Sequence, residues 1–378
     1  MSHMEYGAHD IVFFIGAGAS APFGIPTMKQ FVSDFEKYLD QKDESKERTL
    51  YNNIKGILET KLNRDIDLED VFTVIQGIKD LTLDKLGVLS VYVYSPSQMP
   101  AIPHYGRETI ETCASLEKKF QNFVREKCQI SDQKSFNAIA EIYKDFFNRL
   151  ATESRIIDGT CVQSQKHHYC PNWTIFTTNY DMCLESYWRN HVRPQRGLNT
   201  GFRLDESGSR WILDPETLFS YGRVRLLKLH GSISWLIGED GIVTEEQTLG
   251  SSLIGSRYVG QMMIYPVQQK ELYLEPFVSM FRILNSELRS KPIWIVIGYS
   301  FNDPIIREIF IRNSDDNKRI VFVHPNARKI RDKKLAKIKG DFSSLGRKFG
   351  EPHDFIITSS SIISHLRKPK SAPDSLPT

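Results

Sequence analysis

The residues from Ile11 to Ile15 are all apolar, and Gly16 follows at once. An unbroken run of this kind suits a strand covered on both faces of a parallel sheet, so a strand is expected here, ending at the glycine. Beyond it Met28, Phe31, Val32, Phe35, Tyr38 and Leu39 recur every three or four residues, and Pro26 stands where the start of a helix tolerates it. Strand, glycine turn and helix make a nucleotide-binding opening. From about Asp40 to Ser154 the pattern changes to charged segments with helical spacing, as in Phe136, Ile139, Ile142, Tyr143, Phe146, Phe147 and Leu150. Turn formers from Tyr94 to Pro103 divide this stretch into two helical parts.

Apolar runs return at Trp173 to Thr177, Val224 to Leu229, Ile293 to Ile297 and Ile320 to Val323. Each ends in a polar cluster: Thr178-Asn179-Tyr180-Asp181, His230-Gly231-Ser232, Gly298 to Asp303, and His324-Pro325-Asn326. Ligands of open parallel sheets gather at the carboxyl ends of the strands, so these clusters and the glycine loop are expected to converge on one crevice. The expected fold is α/β: a doubly wound parallel sheet, Rossmann-like, with a helical insertion. Its core spans residues 10–40 and 160–366, the insertion 41–159, and a flexible tail 367–378. No internal repeat or long low-complexity segment is evident.

Composition changes this picture little. A chain of 378 residues that is 40% hydrophobic can bury a large core. Its 49 Lys and Arg against 46 Asp and Glu leave a net charge of +3, which gives no global electrostatic argument for nucleic acid or a membrane surface. The five cysteines form no CxxC pair, which favours a reducing cytoplasm over a disulfide framework. No apolar run reaches the roughly twenty residues of a membrane span. Met1-Ser2-His3-Met4 lacks the apolar core of a signal peptide and reads as a cloning remnant.

The glycine loop has two readings. Gly16, Gly18 and Ala21 fit the GxGxxG/A dinucleotide fingerprint, whose glycines allow a tight turn and close approach of a pyrophosphate. A dehydrogenase also needs an acid at the end of the second strand, whereas Asp34, Glu36 and Asp40 lie on the polar side of the first helix. The same loop, Gly16-Ala17-Gly18-Ala19-Ser20 followed by Gly24-Ile25-Pro26, resembles the opening of the sirtuin family. Later motifs follow in the family's order. Its Gln-Asn-x-Asp segment corresponds to Thr178-Asn179-Tyr180-Asp181, its His-Gly to His230-Gly231, its Gly-x-Ser to Gly298-Tyr299-Ser300 and its late Asn to Asn326.

The resemblance covers Ile11 to Pro26 and Trp173 to Asn326. It departs from the deacylases of the family in specific places: no cysteine lies between Ser232 and Pro266 to supply the structural zinc, the Phe-Gly-Glu edge of the acyl-peptide cleft is missing, Lys29 replaces an Arg and Thr178 a Gln. These departures resemble the sirtuin-like branch of prokaryotic anti-phage defence, whose members hydrolyse NAD. The resemblance therefore implies NAD as substrate, no metal, and His230 as catalytic base with Asn179 and Asp181 beside it. Gly16, Ala17, Gly18, Ser20, Pro26, Thr178, Gly298, Ser300 and Asn326 would hold the dinucleotide, with Gly298 and Ser300 letting backbone approach its phosphates. It also implies a partner that keeps the enzyme silent: a HerA-type ATPase, or alternatively a short Argonaute, together with homo-oligomer contacts from the helical insertion. The rivals are a protein deacylase or ADP-ribosyltransferase on the same fold, and a non-catalytic NAD or ADP-ribose sensor.

Simpler roles stand beside these. Asn179 and Asp181 suit an Asx turn capping the next helix, and Asn302-Asp303-Pro304 suits an N-cap before Ile305, Ile306, Ile309 and Phe310. Cys161, His167, His168 and Cys170 match no common zinc spacing. The basic run Arg328, Lys329, Arg331, Lys333, Lys334, Lys337 and Lys339 reads as a solvated helix face, with direct nucleic-acid contact as the alternative. Trp211 and Trp235 read as core or pocket-wall aromatics.

Overall fold

The structure is a computed structural model and describes residues 10–41, 46–63, 66, 68–80, 107–130, 132–158, 173–191, 198–219, 224–246, 258–263, 274–345 and 362. The Cys161 to Cys170 cluster, the turn-forming stretch from Tyr94 to Pro103, the first four residues, the side chain of Lys29 and the tail from 367 lie outside the described residues. Two compact units emerge: one of residues 1–25, 128–263 and 272–378, the other of residues 26–127 and 264–271.

The first unit holds a six-stranded parallel sheet of β1 (Ile11–Ile15), β2 (Thr174–Thr177), β5 (Arg225–Lys228), β9 (Ile293–Ile297), β10 (Arg319–Val323) and β11 (Asp341–Leu345). The spatial order β5-β2-β1-β9-β10-β11 is 3-2-1-4-5-6 when only these strands are counted, and every pairing is parallel. That is the doubly wound Rossmann order, and its switch point falls between β1 and β9. All residues of β1, β2, β5, β9 and β10 are buried, so their sequences run largely apolar instead of alternating, with charged exceptions such as Arg225 and Lys228 of β5. The edge strand β11 is half-buried throughout, and its Asp341-Phe342-Ser343-Ser344-Leu345 carries no apolar run that would announce it.

The sequence pattern did not anticipate a second, five-stranded antiparallel sheet, ordered β3-β4-β7-β6-β8, in the same unit. It comprises β3 (Phe202–Leu204), β4 (Trp211–Leu213), β7 (Val243–Glu245), β6 (Gly231–Gly238) and β8 (Tyr258–Met263). Three of these strands have only three residues, too few to display a period. Trp235 on β6 is fully buried, as expected, but Trp211 on β4 is 36% exposed and belongs to no core.

The helices of this unit are α5 (Gln133–Asp158), α6 (Cys183–His191), α7 (Phe277–Ser290), α8 (Pro304–Asn313) and α9 (Ala327–Lys334). Phe147 of α5 meets Trp173 at 5.6 Å and Trp188 of α6 at 4.9 Å, and Phe310 of α8 meets Trp294 at 5.4 Å. Buried ion pairs within it include Arg225 with Glu287 at 2.6 Å and Lys228 with Glu185 at 2.8 Å.

The second unit carries α1 (Met28–Asp40), α2 (Lys46–Leu62), α3 (Leu68–Asp80) and α4 (Arg107–Cys128). Pro26 is its first residue, and Thr27 begins α1 with a capping box closed by Gln30. Phe35 is fully buried and lies 5.2 Å from both Phe120 and Phe123, so the apolar stripe read from the sequence is the core of this unit. The sequence-based boundaries 41–159 differ from this grouping at both ends: α1 falls in the helical unit, and α5 with the sheet. Among the described residues, no helix is long and apolar enough to cross a membrane.

Candidate active site

In a parallel sheet every carboxyl end faces the same edge, and this places the polar clusters after β1, β2, β5, β9 and β10 along one rim. At its centre the loops after β1 and β9 pack back to back. The Gly16 N–H donates to the Ile297 carbonyl at 2.9 Å, Gly18 to Gly298 at 3.0 Å, and Gly298 to Val323 at 2.9 Å. A Cβ on Gly16 would lie 2.7 Å from the Gly298 carbonyl oxygen, and one on Gly298 would lie 2.4 Å from the Ala19 nitrogen. Gly298 also has φ +67°. The glycines are thus required by loop-on-loop packing, a reason internal to the protein where the sequence had suggested room for phosphates.

After Gly16 the chain makes two 3₁₀ turns, Ala17–Ala19 and Ala21–Phe23, before α1 begins at Met28. A dinucleotide fingerprint would open its helix directly in the glycine loop. Here the loop is short and folded, with Ala17 and Gly18 half-buried and Ser20 only 1% exposed.

Asn179, beyond the end of β2, is tied into that loop. Its Nδ2 donates to the Gly16 carbonyl oxygen at 3.1 Å and to Ser20 Oγ at 3.0 Å, and its own N–H donates to Thr177 Oγ1 at 3.0 Å. Because the Gly16 carbonyl can only accept, the amide orientation is fixed. Asn179 Oδ1 is left buried without a partner. An orphan buried acceptor beside a glycine loop awaits a donor.

Asp181 does serve the capping role: its Oδ1 accepts the Cys183 N–H at 3.0 Å at the start of α6. Beneath this turn the fully buried Lys228 ammonium donates to the Asp181 carbonyl, to the Tyr180 carbonyl at 3.3 Å and to Glu185 Oε1 at 2.8 Å. Sequence reasoning had passed over Lys228 as one position in an apolar strand. A lysine two residues before His230 in such a run was the available signal. The buried Cys183 thiol beside them is pushed up, by burial first and then by the Asp181 carboxylate.

His230 follows β5 and is 9% exposed. Gly231 after it has φ +82°, and a Cβ there would fall 2.2 Å from the Met262 carbonyl oxygen, so the glycine lets β6 turn back against β8. The imidazole Nε2 lies 3.2 Å from Asp303 Oδ2. Asp303 was read from the sequence only as an N-cap, and its Oδ1 does accept the N–H groups of Ile305 at 2.9 Å and Ile306 at 3.3 Å.

The remaining candidates lie further along the rim. Ser300 is half-buried, and its carbonyl accepts from Lys334 Nζ at 3.1 Å, while the same ammonium holds Asn302 Oδ1. Thr178 is half-buried, and Asn326 is exposed with its N–H bonded to His324 Nδ1 at 3.0 Å. Burial, and then the Lys334 ammonium, hold the His324 imidazole below its usual range. Pro26 belongs to the helical unit. Of the basic run, Lys334 alone turns inward; Arg328 and Arg331 line a cavity of about 330 Å³ with Asp332, Phe342 and Ser344. Among the described residues no three His, Cys, Asp or Glu side chains gather as metal ligands.

No curated protein matches the chain. Among solved structures, a Sir2 homologue–NAD complex is similar at 13% identity and TM-score 0.41, over 94% of this chain and 89% of that one. A mutant Sir2 homologue in complex with ADP-ribose is similar at 13% identity and TM-score 0.37, over 95% and 94%. Sir2Tm bound to a propionylated peptide is similar at 11% identity and TM-score 0.38, over 94% and 92%. Residues 174–342, which run from β2 into β11 and include Asn179, Asp181, His230, Ser300, Asp303 and Asn326, match the family model of the SIR2-like domain.

Proposed function

We propose that this chain binds NAD along the rim formed by the ends of β1, β2, β5, β9 and β10 and hydrolyses it to nicotinamide and ADP-ribose. The observation that carries the reading is Asn179: both donor bonds of its amide are spent on the glycine loop, and its carbonyl oxygen is buried beside that loop with no hydrogen-bond partner. A ribose hydroxyl or an attacking water is the donor such an oxygen would take. The match of residues 174–342 to the SIR2-like domain supports the choice of dinucleotide.

The chemistry asks little of the protein beyond placement. The ring nitrogen that joins nicotinamide to the ribose of NAD is cationic and departs neutral with the C–N electron pair, so the bond breaks without an acid, through an oxocarbenium-like state on the ribose. His230 takes the proton of the attacking water, whose oxygen bonds to the ribose carbon as nicotinamide leaves with the C–N electron pair. Water is the acceptor because the region after His230 supplies no cysteine pairs and no acyl-peptide edge. The cellular role that follows is NAD depletion in the cytoplasm as an anti-phage effector, in a homo-oligomer kept silent by a partner such as a HerA-type ATPase.

The test is release of nicotinamide from NAD by the protein alone and with the candidate ATPase. Release that disappears in His230→Ala is the expected result. No release under any of these conditions, or release undiminished in that variant, would overturn the reading, and consumption of acyl-peptide alongside NAD would favour a deacylase.

A further inference from the structure

We propose that Asp303 is a positioning residue for His230, its carboxylate holding the imidazole through Nε2 and stabilising the cation formed when His230 takes a proton. The proposal rests on the hydrolase reading above and adds to it a residue that reading did not use. One carboxylate is divided between two tasks. Oδ1 caps α8 through Ile305 and Ile306, and Oδ2 faces His230 Nε2 at 3.2 Å. Both side chains are buried, at 11% and 6% exposure, so the interaction is little screened by solvent.

The turn that delivers Asp303 is built at a conformational cost that a cap alone does not require. Phe301, two residues before it, has φ +53°, a region that bulky side chains avoid. Three ring contacts hold Phe301 there, to Tyr299 at 4.9 Å, Phe310 at 5.0 Å and Phe322 at 5.6 Å. Its carbonyl accepts from Arg307 Nη1 at 3.2 Å, and the neighbouring Ser300 carbonyl accepts from Lys334. Backbone strain persists where the surroundings over-determine it, and such places cluster at functional sites. Here the strained turn sets the carboxylate against the imidazole.

A carboxylate beside an imidazole favours the imidazolium and, in the neutral ring, keeps the proton on the nitrogen it faces. Nε2–H then donates to Asp303, and Nδ1 carries the lone pair. When His230 takes the proton of water, that proton passes later to solvent; Asp303 does not itself accept it. Charged groups at these strand ends include Lys228, which is paired with Glu185 at 2.8 Å, Asp181, which caps α6, Lys334, which holds the Ser300 carbonyl and Asn302, and Arg307, which donates to the Phe301 carbonyl.

The cap and the pairing can be separated by mutation, because Asn and Ser cap helices as well as Asp does but carry no charge. Asp303→Asn and Asp303→Ser are expected to melt close to the wild-type temperature, and Asp303→Ala lower. In Asp303→Asn the turnover number for NAD hydrolysis should fall on the order of 100-fold or more while KM changes little. The acid limb of its kcat/KM profile and the His230 pKa, followed by NMR of the full chain, should both move down by about one unit. The NMR titration needs no turnover. If the wild type releases no nicotinamide, the hydrolase reading falls and the titration still decides the pairing. An Asp303→Asn protein with wild-type turnover, or with an unshifted His230 pKa, overturns the proposal.

Discussion

The side-chain amide of Asn179 donates to the carbonyl oxygen of Gly16 at 3.1 Å, joining the ends of β2 and β1 across 163 positions of sequence. Replacing it by Asp turns a carboxylate oxygen toward the Gly16 carbonyl oxygen, which keeps only its bond from the Ala19 N–H, and buries a charge there, a loss of about 1–3 kcal/mol. Asn179→Asp should unfold at lower urea concentration and release nicotinamide at least about 100-fold more slowly. A variant as stable and as active as the parent would mean that this bond does not organise the site.

Gly298 and Gly241 both have positive φ, +67° and +74°, but only Gly298 has backbone where a side chain would go. Alanine at either position carries the conformational cost of about 1–2 kcal/mol. At Gly298 it must also displace Ala19, so Gly298→Ala should lose distinctly more stability than Gly241→Ala and weaken NAD binding. Chemical denaturation of the two variants side by side, with calorimetric titration of NAD, makes the comparison. Equal losses would contradict the loop-on-loop contact.

Lys228 and Glu185 are both nearly inaccessible, so removing one leaves the other charged and buried. Lys228→Met should cost about 3–5 kcal/mol, whereas Lys228→Met combined with Glu185→Leu should recover the part due to the unpaired Glu185 charge but not the bonds to the Asp181 and Tyr180 carbonyls. A double-mutant cycle by urea denaturation measures the coupling. Additive losses would show that the pair is not a unit.

His324 is held neutral by burial and by the Lys334 ammonium, and its Nδ1 accepts the Asn326 N–H. Its folded pKa lies below that of the unfolded chain, so between the two values the unfolded chain binds the extra proton. The contribution to stability is therefore complete above about pH 6.5 and is lost as pH falls toward the folded pKa. His324→Asn keeps an acceptor without the titration. Thermal melts from pH 8 to pH 5 should fall less steeply for this variant than for the wild type; parallel curves would contradict the assignment.

Much of this candidate site was legible in the chain. The apolar runs that became β1, β2, β5, β9 and β10 are buried on both faces, and burial of that kind writes itself into sequence as uninterrupted hydrophobicity. Their polar ends named Asn179, Asp181, His230, Ser300 and Asn326 before any fold was in view. Strands β3, β4 and β7 left no such mark, since three residues cannot show a period, and half-exposed β11 has none to show.

Sequence by itself therefore determined the strand sites of the parallel sheet except β11, the residues at their carboxyl ends and the chemistry those residues could offer, because local hydrophobic pattern and residue type are properties of neighbours along the chain. Tertiary structure alone decided which of those residues meet. It paired His230 with Asp303 from 73 positions away, turned the Asn179 donors onto Gly16 and Ser20, set Lys228 under the Asp181 turn and made Gly298 the space for Ala19. These depend on the 3-2-1-4-5-6 order, which brings β1 between β2 and β9 and sets β5 beside β2. Strand order is set by how the whole sheet buries its faces, and no local segment encodes it.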